Sequence, residues 1–178
     1  TDPRYNNLDP ADVAFTNIDN ETPGITVGPA SGPTTETGGT ATFTIVLNTQ
    51  PTASVTVGLS SSDLTEGTVS PASAVFTTAN WSTPQTVTVT GVNDGFADGN
   101  QTTTLTVSVD DAASSNEFDA VADATVSATT VDDDAAGVTI VEAGGTTSVN
   151  ESGTTDTFTV ALTAQPASDV VLTVVSGD

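Results

Sequence analysis

The chain has 178 residues, 23 of them acidic and one basic (Arg4), with a formal charge of −22 and no histidine, cysteine or methionine. Imidazole acid–base chemistry, Ser–His and Cys–His nucleophiles, thiolate redox and zinc sites built on Cys or His are therefore excluded. Nucleic acid is not expected as a partner, because its phosphates need Lys or Arg opposite them.

Taken in chain order, the N-terminal TDPRYNN lacks the apolar run of a signal peptide, and no later stretch approaches the ~20 apolar residues of a membrane helix. No membrane insertion is expected. Thr40 opens TATFTIVLN, an alternating strand with Phe43 and Ile45 on one face. Ala53 opens ASVTVGLSS, with Val55, Val57 and Leu59 inward. Strands follow from Ser73 (SAVFT), Gln85 (QTVTVTG), Thr103 (TTLTVSV) and Thr125 (TVSATTV). Turn residues separate these runs about every dozen residues, the spacing of an antiparallel sandwich. With 37 threonines and no amphipathic helix, the expected fold is all-β.

The sequence also repeats itself. Thr42–Asp63 and Thr157–Asp178 share nine of 22 positions at an offset of 115, including Phe43/Phe158, Leu47/Leu162 and Pro51/Pro166. Tyr5–Ile25 matches Phe118–Val138 at an offset of 113, with Tyr5 against Phe118, Val13 against Val126, Asp19 against Asp132 and Gly24 against Gly137. Residues 1–24 then read as the C-terminal tail of one repeat, 25–134 as a complete sandwich, and 135–178 as the first part of the next. The expectation is a tandem array of antiparallel β-sandwiches whose boundaries are out of phase with the chain.

The acids collect in the connections rather than on the strands. Asp63 and Glu66 lie in SSDLTEG, Asp94 and Asp98 in VNDGFADGN, and Asp132, Asp133 and Asp134 end the last strand of the repeat. Glu36 precedes a strand, and both Glu36 and Asp63 have acidic counterparts, Glu151 and Asp178. Asp19, Asn20 and Glu21 form a softened copy of the triple Asp. Alternate loops of a sandwich share an end, so acids far apart in sequence can converge. Gathered carboxylates repel unless a hard cation joins them, and Ca2+ takes six to eight such oxygens. The bland reading of the same residues is a solvated acidic linker.

Three features together, Glu36 in ETGGTATF, the Asn93–Gly99 loop and the terminal Asp132–Asp134, resemble the Calx-β family, as does PASAVFTTANWSTPQTVTVTGVND from Pro71 to Asp94. The resemblance implies immunoglobulin-like sandwiches repeated in tandem in bacterial surface proteins. It also implies Ca2+ held by Glu36, Asp63, Asp94, Asp98, Asp132, Asp133 and Asp134, with Asp19, Glu21 and Glu151 as equivalents in the flanking repeats. Asn93, Asn100 and Gln101 stand where the family often has acids, which implies fewer or weaker ions.

Other residues carry less. Trp81 and Phe76 read as core packing rather than a sugar-stacking platform. Asp94 and Asp98 lack the cleft residues of a glycosidase, and the four N-x-S/T sequons are expected by chance in so Thr-rich a chain. The function that follows is non-catalytic: a calcium-stiffened extender in a secreted or cell-surface protein such as an adhesin, or a subunit of an extracellular fibre or layer. Its partners would be neighbouring repeats of the same or another copy. The rival is a glycan- or ice-binding sandwich module.

Overall fold

The computed structural model describes residues 3–5 and 8–177. Its centre is a β-sandwich of nine strands: β1 (Ile25–Val27), β2 (Thr34–Thr35), β3 (Thr40–Leu47), β4 (Val55–Ser61), β5 (Gly67–Ser70), β6 (Ser73–Phe76), β7 (Gln85–Gly91), β8 (Gln101–Val109) and β9 (Ala124–Val131). One sheet has the order β1-β3-β7-β5 and the other β2-β9-β8-β4-β6. All pairings within them are antiparallel except β2 with β9, which is parallel. The only helical elements among the described residues are three single 3-10 turns.

Alternation along the strands decides what the sandwich buries. Ala41, Phe43, Ile45 and Leu47 of β3 face inward, as do Val55, Val57 and Leu59 of β4. Val87 and Val89 of β7, with Leu105 and Val107 of β8, are completely enclosed. Each such side chain contributes roughly 1.5–3 kcal/mol relative to exposure. Threonine occupies the alternate positions, where a branched side chain suits the pleat and its hydroxyl meets solvent. Phe76 is fully buried and Trp81 packs against the core's edge, so both aromatics are structural.

Six of the strands were legible from alternation. β1 and β2 were not, because two or three residues are too few to show a period, and β5 was not, because GTVS carries a single large apolar residue. β2 is held by its neighbours instead. Thr34 is opposite Thr130, their hydroxyls 2.9 Å apart, and Thr35 is opposite Val131.

A separate hairpin, β10 (Val138–Glu142) with β11 (Phe158–Leu162), follows the sandwich. It repeats the register of β1 with β3: Val138 is opposite Leu162 as Ile25 is opposite Leu47. Thr163 N–H donates to the Gly137 carbonyl at 3.0 Å as Asn48 N–H donates to Gly24 at 2.9 Å. Unlike β3, the hairpin is exposed along its whole length. Residues 8–24 contribute no strand. Among the described residues one sandwich is therefore present, and the expected array of sandwiches is not seen.

Gly91 is where β7 passes closest to β2. A Cβ there would collide with the Thr35 carbonyl oxygen, which is backbone and cannot move aside. Gly91→Ala should therefore destabilise the sandwich by about 1–3 kcal/mol, read as a lower urea midpoint, whereas Gly32→Ala, which meets nothing, should leave it unchanged.

Candidate metal centre

One end of the sandwich collects the end of β2, the start of β5, the end of β7, the start of β8 and the end of β9. The parallel pairing carries Glu36 and Asp132 out of β2 and β9 side by side, since each directly follows a paired residue. Glu36 N–H donates to the Val131 carbonyl at 3.2 Å. The turn beyond is closed by Gly38, whose φ of +87° suits glycine, with both Gly38 and Gly39 N–H on the Thr35 carbonyl. Gly67 of β5 pairs with Gly91 of β7, which places Glu66 beside the chain leaving β7, and Val92 N–H donates to the Glu66 carbonyl at 3.0 Å. The β7–β8 loop is fastened by Phe96 N–H on Asp94 Oδ1 at 2.8 Å and by Gly99 N–H on Asp132 Oδ2 at 2.7 Å.

Two groups of carboxylates result. Glu36, Asp132 and Asp134 can bring one oxygen each within 4.8 Å of the others, and so can Glu66, Asp94 and Asp98. Glu36 is 2 % exposed, and its Oε2 has no hydrogen-bond partner among the described residues. A buried carboxylate oxygen without a donor is costly unless a proton or a cation supplies the missing charge. Burial first, then the charges of Asp132, Asp94 and Asp133, push the Glu36 carboxyl up to about 7. Glu66 is raised by burial and then by Asp98, Asp94, Asp63 and Asp132. Asp134 is raised by burial and then by Asp133 and Asp132. The groups thus feel one another across Asp94 and Asp132. All these donors are hard oxygens, the chemistry that suits Ca2+ or Mg2+ and not a soft metal.

Of the ligands expected from the sequence, Glu36, Asp94, Asp98, Asp132 and Asp134 are brought together. Asp133 stands beside the first group without joining it. Asp63 turns away: its Oδ1 accepts from Thr65 Oγ1 at 2.6 Å and Thr65 N at 2.9 Å, which lowers its pKa. Glu66, three residues on, takes that place. It was visible among the loop acids, but the family pattern pointed to Asp63. Asn100 Oδ1 accepts from Asp132 N–H at 3.2 Å and so positions the chain leaving β9. Asp19 and Glu21 lie against Thr49, Thr52 and Glu117, beside the loop that follows β3, while Glu36 is near that strand's start. Glu151 is exposed in the connection between β10 and β11. These three belong to neither group, and Asp178 lies outside the described residues.

No family model and no curated protein matches the chain. Among solved structures it is similar to the ASH/PapD-like domain 7 of human CEP192, at 10% identity, 72% of this chain, 98% of that one and a TM-score of 0.47. It is also similar to SSP-19, an MSP-domain protein like family member of Caenorhabditis elegans, at 19% identity, 58% and 99% coverage and a TM-score of 0.39. A third is WR4, an MSP family member of C. elegans, at 13% identity, 60% and 95% coverage and a TM-score of 0.40. The resemblance to Calx-β is corrected: no family model matches the chain. The Asn93–Gly99 loop and Asp132–Asp134 are short turn and strand-end runs, and Pro71–Asp94 is the alternation of β6 and β7 with their connection, patterns that antiparallel sandwiches need in general. The acidic groups stand on geometry alone.

A carboxyl raised from 4.5 to about 7 keeps in the folded state a proton that the unfolded state has lost. In chelator, stability should therefore fall as pH rises from 4.5 to 7, with the cost complete above 7. Glu36→Gln should flatten that fall and melt above the wild type at pH 7.5 in EDTA. Melting curves across pH check both outcomes.

Proposed function

We propose that the chain is a non-catalytic, calcium-stiffened structural module of a secreted or cell-surface protein, in which sandwiches follow one another. The observation that carries this reading is the buried, unpartnered Glu36 carboxylate oxygen beside Asp132 and Asp134. A divalent ion there replaces repulsion by attraction among segments far apart in sequence, and its binding energy becomes stability of the fold. Ca2+ is favoured over Mg2+ because the ligands come from several loops, which suits a large ion with flexible coordination.

The same loop that offers Asp94 and Asp98 also touches the following hairpin. Gln165 N–H donates to the Gly95 carbonyl at 2.6 Å, and Phe96 bridges to Gln165. Ala97 closes one side of an apolar cleft of about 410 Å³ against Val138, Leu162 and Pro166. Fixing the loop with an ion therefore fixes the joint. The repeated register of β10–β11 supports reading that hairpin as the first strands of a second sandwich. A glycan-stacking role finds no platform in Trp81, which packs against the core.

Excess millimolar Ca2+ should raise the melting temperature over that in EDTA by on the order of 10 °C, since binding at 100-fold above Kd adds about 2.7 kcal/mol. Mg2+ should do much less, and Glu36→Gln should remove most of the rise. An unchanged melting temperature in Ca2+ would refute the reading.

A further inference from the structure

Strand β9 is paired along only part of its outer side. The Thr129 carbonyl accepts from the Thr34 hydroxyl at 3.3 Å and the Val131 carbonyl from Glu36 N–H at 3.2 Å, so the odd-numbered residues of β9 turn their backbone groups toward β2. β2 reaches only Thr130 and Val131, and no other strand lies on that side. The N–H and C=O of Thr125 and Ser127 therefore point out of the sheet with no backbone partner among the described residues. They border a groove of about 440 Å³, lined also by Val126 and, from the chain leaving β1, by Val27, Pro29 and Ala30. Val27 and Ala30 pack against the core and are only half-buried. Both walls belong to the central sandwich. An open strand edge beside a shallow apolar groove is the geometry that accepts an added strand: main-chain bonds hold it, and alternate side chains enter the groove.

Charge selects the occupant. The chain carries a formal charge of −22 with one Arg, and Asp119 and Asp123, both exposed, stand just before the open edge. A second copy offering its own edge would bring the same acids to the same place and be repelled, whereas a segment bearing Lys or Arg is attracted. We propose that the open edge of β9 takes up an extended segment of a basic protein. Its backbone pairs with Thr125 and Ser127, β-branched residues at alternate positions face Val27, Ala30 and Val126, and its cations lie at the ends. The proposal uses none of the carboxylates grouped around Glu36 and Glu66, so it stands or falls separately from the metal reading.

The probe is the dye-labelled heptapeptide KTVTVTK, whose sequence reads the same in either strand direction. It is titrated against the full chain in Ca2+ and about 0.15 M salt, where distant charges are screened. Saturable binding at micromolar concentration is expected, with the Thr125 and Ser127 amides becoming protected from hydrogen exchange. N-methylation of the central peptide residues should weaken binding about tenfold, since it removes pairing donors and keeps the charge. ETVTVTE should not bind. Ser127→Pro removes an outward N–H that the ladder with β8 does not use, a change tolerated at sheet edges; it should melt like the wild type and bind about tenfold more weakly. If that variant melts early, the N-methyl comparison and the exchange data on the wild type decide. No binding of KTVTVTK at millimolar concentration overturns the proposal. So does equal binding of the N-methylated peptide, which would mean charge alone, or equal binding of ETVTVTE, which would remove the basic partner. Self-association of the chain that Ser127→Pro abolishes would make the occupant a second copy and overturn it too.

Discussion

Two residues of parallel pairing, Thr34 with Thr130 and Thr35 with Val131, hold the acidic end together. Without them Glu36 would sit on a free loop, a surface carboxylate among many. With them it is carried under the end of β9, out of water and against Asp132. The Gly91 backbone lies so close to the Thr35 carbonyl that only a glycine lets β2 sit there. A short strand, a glycine and a buried carboxylate therefore form one device. The core sets the strand ends in place, and the strand ends set the charges.

The parts of the fold legible in the sequence are those with a strong period. Strands of seven to nine residues such as β3, β7 and β8 alternate threonine with Val, Ile, Leu or Phe, and their inward faces could be named in advance. β2 could not, because two threonines carry no period and its pairing partner is about 95 residues away in the chain. That pairing is tertiary information, and it is what makes Glu36 special. The convergence of loop acids was legible from their absence on the strands. The choice of Glu66 over Asp63 was not, since it turns on a local detail: Thr65 satisfies Asp63 with its own hydroxyl and N–H. The family resemblance failed for a related reason, because turn motifs record what a loop must do and not where it came from.

The acidic end and the joint share the β7–β8 loop. Asp94 and Asp98 face the carboxylate groups, while Gly95 and Phe96 face the hairpin. The loop turns locally, with Phe96 N–H on Asp94 Oδ1, so the backbone at Gly95 and Phe96 meets the hairpin while the Asp94 and Asp98 side chains join the carboxylates. A change in charge on one side is felt on the other without any long-range pathway, since the coupling runs through a single loop already tied to Asp132 by the Gly99 N–H.

The shortness of β2 has a kinetic consequence. It lies at the edge of its sheet, paired on one side only, so its ladder has little to lose by fraying, and edges of this kind open far more often than the whole domain unfolds. When β2 leaves, Glu36 leaves with it. For the proposed ion, release and opening of the edge would then be the same event, and its residence time would follow how often a two-residue strand peels away rather than the strength of any one carboxylate.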